Sequence, residues 1–412
     1  MQEFTPLEYI KIDIASNFGL DKETWDTRLE WFAENEPKLE QMVLEAEEPA
    51  LFFAGVEAYR KAERGQPVKY PISLDATASG AQILALLAGC ERSAVLSNVI
   101  DSGDRLDFYS EITKLINQYA DGDVKISRKD AKDAIMPSFY GSTKAPKDVF
   151  GEGALYEIFQ KIMSIASPGI WNLNSMFLAL WDSNALDYAW IMPDNFHAKF
   201  KVMQNVQHDF KFLGMLNTVT IPENRPIENG KALGANIIHS LDGMVVRELT
   251  ARCNYNAKHV TNLRKWALSN VRNISRKRSK DKTLARLLVN ARYSQYYPVR
   301  MLSFIDKRNI GLVDRTELLE MLNSLPIKPF EILSIHDCFR VHPNYANDLR
   351  KQYNVILSKL AQSDMLNFIV NQLGNKLPIH IPNRDNLANC LLYTSDAADE
   401  GLGVDLGGRR II

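Results

Sequence analysis

Ser127-Arg128-Lys129-Asp130-Ala131-Lys132-Asp133-Ala134-Ile135-Met136-Pro137-Ser138-Phe139-Tyr140-Gly141 is the stretch on which the reading of the fold turns. Arg128, Lys132, Met136 and Tyr140 recur every fourth residue, so a helix from Ser127 through Tyr140 aligns them along one slowly drifting face. That face is about 18 Å long at about 1.5 Å rise per residue. It offers two cations able to grip a triphosphate, then a Met and a Tyr able to cover a base and sugar. The competing reading is an amphipathic helix with its cations in water, which does not explain a face charged at one end and apolar at the other.

Upstream, Asp75-Ala76-Thr77-Ala78-Ser79-Gly80 follows a β-rich run from Val68 to Leu74 and precedes a helix from Ser79 to Ala88. A Ser-x-x-Gln pair, Ser79 and Gln82, predicts a capping box there. Asp75 therefore stands at the end of a strand, where it is either a helix cap or an aimed carboxylate. Downstream, Phe330 to Ile335 and Phe339 to His342 read as short strands meeting at His336-Asp337-Cys338. A carboxylate at that tip is a simple turn residue or one that meets a cation. Helices are also expected across Asp21 to Arg64, Arg105 to Gln118 and Tyr345 to Leu373, with a surface hairpin or loop around Asn217 to Asn229.

The 412 residues, 46% of them hydrophobic, suffice for a large core and two or three subdomains. No run of about 18 apolar residues and no signal-peptide pattern occurs, so a cytoplasmic protein without a membrane span is expected. The four cysteines, Cys90, Cys253, Cys338 and Cys390, lie singly, without zinc-ligand spacing or disulfide density. A net charge of −1 argues against coating nucleic acid through a global positive field. Positive charge concentrates locally between Arg264 and Arg286, including Arg276, Lys277 and Arg278. Such a cluster is either a solvated face or a phosphate contact. From Thr394 onward the sequence resembles translated adapter sequence and is read as a non-native tail.

Taken together, the Asp75, Arg128-to-Gly141 and His336-Asp337 segments resemble motifs A, B and C of the single-subunit RNA polymerases of bacteriophages and mitochondria. The resemblance extends to Asp107-Phe108-Tyr109 and to Asn236-Ile237-Ile238-His239-Ser240-Leu241-Asp242-Gly243, and runs in order from about Ile10 to Leu392. It implies a mixed α/β right-handed palm-and-fingers fold with a small antiparallel palm sheet and many helices. Residues 1–110 would be the first part of the palm with motif A. Residues 111–235 would be fingers with motif B and a hairpin like the family's specificity loop. Residues 236–392 would be the rest of the palm with a basic insertion, and 393–412 the tail.

The implied activity is DNA-dependent RNA synthesis, with DNA template, RNA product and ribonucleoside triphosphates as partners. Asp75, the Ala76 carbonyl and Asp337 would hold two Mg²⁺ ions, which activate the RNA 3′-hydroxyl and hold the triphosphate. Arg128 and Lys132 would neutralise phosphates, Lys132 also donating a proton to pyrophosphate, with Tyr140 over the nucleotide. Met136, Gly141, Gly80 and Tyr109 complete the implied substrate contacts, and His239 and His336 would lie near the RNA–DNA hybrid. Gly80 stands where family A DNA polymerases carry a glutamate that blocks a ribose 2′-hydroxyl, and Cys338 stands where they carry a second acidic residue. Both point to ribonucleotides.

Departures from the family pattern carry expectations of their own. Pro137 should kink the motif B helix just before Tyr140. The stretch between His239 and His336 is long and holds the basic cluster, so it is expected to touch nucleic acid. No promoter-binding domain, thumb or Asp-x-x-Gly-Arg motif precedes Ile10. This resembles the large chain of a split phage enzyme, active in the infected host's cytoplasm, whose smaller subunit supplies the remainder. The rivals are a DNA polymerase or primase on the same fold, and a non-catalytic nucleic-acid-binding subunit.

Overall fold

The computed structural model describes residues 2–76, 78–102, 106–120, 125–269, 282–335, 338–374 and 378–393. The chain opens with α1 (Pro6–Ala15), started by a capping box in which Thr5 Oγ1 accepts from the Glu8 amide and the Glu8 carboxylate accepts from the Thr5 amide. Next come α2 (Trp25–Asn35) and α3 (Pro49–Glu63), packed on α1 around Trp25, Phe32, Phe52 and Tyr59. They are separate helices with 3₁₀ turns between them, within the span expected to be helical.

Strand β1 (Ile72–Asp75) leads into α4 (Ser79–Ala88), α5 (Glu91–Leu96), α6 (Phe108–Tyr119) and α7 (Arg128–Phe139). β1 is shorter than the expected Val68–Leu74 run, because Pro71 offers no amide to a strand ladder. The predicted capping box at Ser79 and Gln82 does not form. Ala78 precedes the helix in a left-handed conformation, φ 52°, with no side-chain cap. Gln82 is instead drawn inward, its amide donating to the Ser97 carbonyl (3.1 Å) and its Oε1 accepting from the Tyr353 hydroxyl (3.0 Å). Burying an amide with both ends satisfied outcompetes a helix-end bond exposed to water.

Helices α8 (Lys144–Phe150), α9 (Ala154–Ala166) and α10 (Pro168–Ala179) precede two antiparallel pairs, β2 (Asp187–Ile191) with β3 (His197–Lys201), and β4 (Met203–Phe212) with β5 (Met215–Asn224). The second pair is the hairpin expected around Asn217–Asn229, displaced toward the N-terminus. Its turn is Leu213-Gly214, both with positive φ as a two-residue hairpin requires. Leu-Gly carries none of the Asn or Asp that ordinarily marks such a turn, which is why the Asn- and Pro-containing stretch drew the sequence reading instead.

Helices α11 (Ala232–Cys253), α12 (Ala257–Leu268), α13 (Lys282–Ser294) and α14 (Arg315–Asn323) follow, then strands β6 (Ile332–Ile335) and β7 (Cys338–Val341). The expected single helix from Tyr345 to Leu373 is broken into α15 (Ala346–Gln362) and α16 (Met365–Gln372), followed by α17 (Arg384–Tyr393). The break lies where the Asp364 amide donates to the Ser294 carbonyl (2.7 Å) and its carboxylate accepts from Arg384 (2.7 Å). These tertiary bonds replace helix bonds that local periodicity alone would have continued.

Strands β1, β7 and β6, in that order, form a three-stranded antiparallel sheet. Its register sets Asp75 opposite Cys338, and Cys338 opposite Ile335. One hydrophobic core runs beneath this sheet and through the helices on either side of it. A second, smaller cluster is built from residues between Val260 and Leu325. Among the described residues no helix is long and apolar enough to cross a membrane.

Candidate active site

Five separated parts of the chain line one cleft of about 490 Å³. The turn after α1 supplies Asp21 and Lys22, the end of β1 supplies Asp75 and Ala76, and the start of α4 supplies Ser79 and Gly80. Tyr109 comes from α6, while Arg128, Lys132, Met136, Phe139 and Tyr140 run along α7 to its C-cap. His239 and Asp242, three residues apart on α11, close the far wall.

The placement of the α7 face begins with its cap. Ser127 Oγ accepts from the Asp130 amide (3.2 Å) while Asp130 accepts from the Ser127 amide (3.3 Å), so the helix starts at Arg128. Ala131, Ala134 and Ile135 turn into the core and leave Lys132 and Met136 exposed in the cleft. Pro137, expected to kink the helix just before Tyr140, lies inside α7 three residues before its C-cap. It sits in the last turn, where its carbonyl accepts from the Tyr140 amide (3.1 Å) and the Ser142 amide (2.9 Å), and the helix simply ends. Gly141 follows at φ 85° against Asn174 and Leu178 and is not part of the cleft lining. Its conformation terminates the helix.

Arg128 is not the open cation pictured from the sequence. Its Nε and Nη2 donate to the two oxygens of Asp107 (2.6 and 2.8 Å), and its guanidinium stands 5.5 Å from the Tyr109 ring centroid. Asp107 also caps α6 by accepting from the Ser110 amide (2.9 Å). Burial would push the Asp107 carboxyl up, but the bonds from Arg128 and Ser110 outweigh it and hold the carboxyl below its ordinary range. Lys132 is thus the cation most open to the cleft on this face.

Tyr140 leans across the cleft floor. Its ring centroid is 5.4 Å from that of His239, and its hydroxyl lies 2.6 Å from where a Cβ on residue 80 would stand. The space above Gly80, read from the sequence as room for a ribose hydroxyl, is therefore filled by the Tyr140 hydroxyl. The His239 side chain is exposed at its surface, yet partial desolvation holds its imidazole below its ordinary value, favouring the neutral ring.

Asp75 ends β1 with its Oδ1 accepting from the Ala76 amide (3.1 Å), and Ser79 Oγ lies 3.5 Å from Asp242 Oδ2. The Asp75 carboxylate and Ala76 carbonyl are oxygen donors, the chemistry that a hard cation such as Mg²⁺ takes. Cys338, opposite Asp75, immediately follows Asp337 in sequence. Asp337, His336 and the basic residues Arg276, Lys277 and Arg278 lie outside the described residues. Among the described residues no group of three or more His, Cys, Asp or Glu could hold a metal ion. From the basic cluster, Arg264 is turned inward rather than to solvent, its Nη2 donating to the Leu322 carbonyl (2.6 Å) near the end of α14.

Sequence reasoning gave no role to Asp21, Lys22, Asp107 or Asp242. The spacing of His239 and Asp242 on one helical face was the available clue to Asp242. Nothing local marks Asp107 as the partner of Arg128.

A fold of helices around a small antiparallel sheet, with an acidic strand end facing a basic and aromatic helix across one cleft, suits transfer of a phosphate-bearing substrate. Residues 3–168, which include Asp75, Asp107 and the whole α7 face, match the model of the DNA-dependent RNA polymerase family. The chain is also 26% identical over 376 residues, 82% of its length, to a protein named probable DNA-directed RNA polymerase from Gelasinospora sp. (strain G114). It spans about two-fifths of the length of that curated relative, 40%.

Proposed function

We propose that this chain is the catalytic portion of a DNA-dependent RNA polymerase that adds ribonucleotides to an RNA 3′-hydroxyl. The observation that carries the reading is the convergence on one cleft of Asp75, Lys132 and Tyr140, inside the segment similar to RNA polymerases, with His239 from beyond it. In this reading β1, β6 and β7 are the palm sheet, residues 111–235 are the fingers with β4 and β5 as the specificity-loop-like hairpin, and residues 236–392 complete the palm. Mg²⁺ held by Asp75, Ala76 and Asp337 would supply charge neutralisation at the reacting phosphate.

The chain's own residues do the rest. Lys132, exposed on α7, holds the triphosphate and donates a proton to the departing pyrophosphate. Arg128, steadied by Asp107, sets the charge at the outer end of the same face. Met136 and Tyr140 cover the base and sugar, and Tyr109 buttresses Arg128. His239, kept neutral, and His336 lie along the RNA–DNA hybrid, with Arg276, Lys277 and Arg278 on nucleic-acid phosphates. Full activity needs the rest of the enzyme, whether in the same polypeptide or in a smaller separate subunit of a phage-type split polymerase acting in the host cytoplasm.

The test is extension of an RNA primer on a single-stranded DNA template with Mg²⁺, using ribo- or deoxynucleoside triphosphates, with and without the candidate small subunit. Ribonucleotide addition that ceases on chelation supports the reading. Preference for deoxynucleotides, or no extension by the complete assembly, overturns it.

A further inference from the structure

Among the described residues, the strand that carries Asp75 lies at the rim of its sheet, bonded to β7 on one side only. A strand edge has amides with no ladder partner, and an unsupported edge is free to shift or fray. Here the edge is held from within. The Ser73 amide, two residues before Asp75, donates to Asp13 Oδ1 (2.9 Å). Asp13 belongs to α1 and is 4% exposed.

The other carboxylate oxygen of Asp13 accepts from the Tyr70 hydroxyl (2.6 Å) and from Asn17 Nδ2 (3.0 Å). Arg340, opposite Ser73 on β7, supplies a nearby positive charge. A carboxylate so deeply buried is costly unless it is well hydrogen-bonded. This one receives three donors, two of which, from Tyr70 and Ser73, come from the chain entering and forming β1. An apolar residue at position 13 would fill the space and satisfy none of them.

Resting on the polymerase reading above, we infer that Asp13 is a positioning residue for the reaction: its carboxylate clamps the free edge of β1 and so fixes where Asp75 presents its own carboxylate to the cleft. Asp13 touches neither substrate nor reacting atoms. It acts through the backbone of Ser73, as the outer partners of a metal ligand act through the ligand they orient.

The experiment is Mn²⁺ binding to the full chain, followed by electron paramagnetic resonance, beside the Mg²⁺ dependence of primer extension. Asp13→Ala weakens Mn²⁺ binding and raises the Mg²⁺ needed for half-maximal extension by about tenfold, the lower end of what loss of such a partner costs. KM for the nucleotide stays unchanged. Asp13→Asn, whose Oδ1 still accepts from Ser73, restores most of both. Asp13→Ser, too short to reach the Ser73 amide, behaves like Asp13→Ala and decides the matter if the alanine variant does not fold. Val56→Ala, in α3 of the same core, leaves the Asp13 carboxylate in place, serves as the stability control and leaves both readouts at the wild-type value.

Wild-type Mn²⁺ affinity in Asp13→Ala and Asp13→Ser, with affinity abolished in Asp75→Ala, overturns the inference while leaving the polymerase reading intact. An equal shift in Val56→Ala overturns it as mere destabilisation. Unchanged Mn²⁺ binding in Asp75→Ala sinks the metal-binding reading itself.

Discussion

The Tyr140 hydroxyl lies 2.6 Å from the point where a side-chain carbon on residue 80 would stand, so the glycine and the tyrosine occupy one another's space across the cleft. A Gly80→Ala methyl must push the end of the Tyr140 side chain aside. The expected outcome is a fall of about fivefold or more in the ratio of ribo- to deoxynucleotide kcat/KM, corresponding to about 1 kcal/mol of lost discrimination. In a Tyr140→Phe background the hydroxyl is gone, and Gly80→Ala should cost much less. The double-mutant cycle measures this coupling, and strict additivity would show that the two residues do not act together.

Asp75 is the last residue of β1, where its backbone pairs with Cys338. Asp75→Ala should therefore abolish nucleotide addition, by on the order of a thousandfold, while circular dichroism and melting stay close to wild type. Asp337→Ala should do the same. Extension at wild-type rate by either variant would remove that residue from the machinery.

Asp107 and Arg128 are tied by a two-point bond, and Asp107→Asn should loosen both the start of α6 and the outer end of the α7 face. The carboxyl's folded-state value is depressed, so its stabilising contribution is present above its ordinary value near 3.8 and is lost as pH falls through the lower folded value. The Arg128 and Asp107 side chains are partly exposed, at 33% and 28%, so screening limits the effect at neutral pH to about 1 kcal/mol. Thermal melts at pH 7 and pH 3 should show the difference between variant and wild type shrinking in acid. A difference that grows in acid would reverse the sign of this argument.

His239 gives a second pH effect. Its value is lowered from 6.5 by burial, so below that pH the unfolded chain takes up a proton that the folded chain resists. Binding more protons in the unfolded state makes stability rise with pH, so the fold loses stability as pH falls from about 6.5 toward the folded value. His239→Gln should flatten this slope between pH 7.5 and pH 5.5 in denaturant titrations. An unchanged slope would mean that other groups set it.

Glu248 and Arg252, at 2% and 0% side-chain exposure, form a buried pair where α11 meets the smaller core. Glu248 also accepts from the Val299 amide, and Arg252 donates to Gln352 (2.8 Å) and to Ser324 Oγ (2.6 Å). Removing one partner strands the other, so Arg252→Met should cost about 3–5 kcal/mol of stability by chemical denaturation. A loss under about 1 kcal/mol would show that Glu248 can protonate or rehydrate at little cost.

Much of the site was legible because it depends on local pattern. A four-residue repeat was enough to place Arg128, Lys132, Met136 and Tyr140 on one helical face, since helix period involves only near neighbours. Strand propensity ending at Asp75, and two apolar runs around residues 336–338, likewise foreshadowed the sheet. Contacts between distant segments were not legible. Only the folded chain brings Asp107 to Arg128, Asp13 to Ser73 and the Tyr140 hydroxyl over Gly80, and only tertiary bonding draws Gln82 away from a helix cap and ends α15 at Gln362. The physical reason is one of range. Torsional preference and periodicity act over a few residues and are written in order along the chain, whereas desolvation and charge pairing depend on which segments the core brings together.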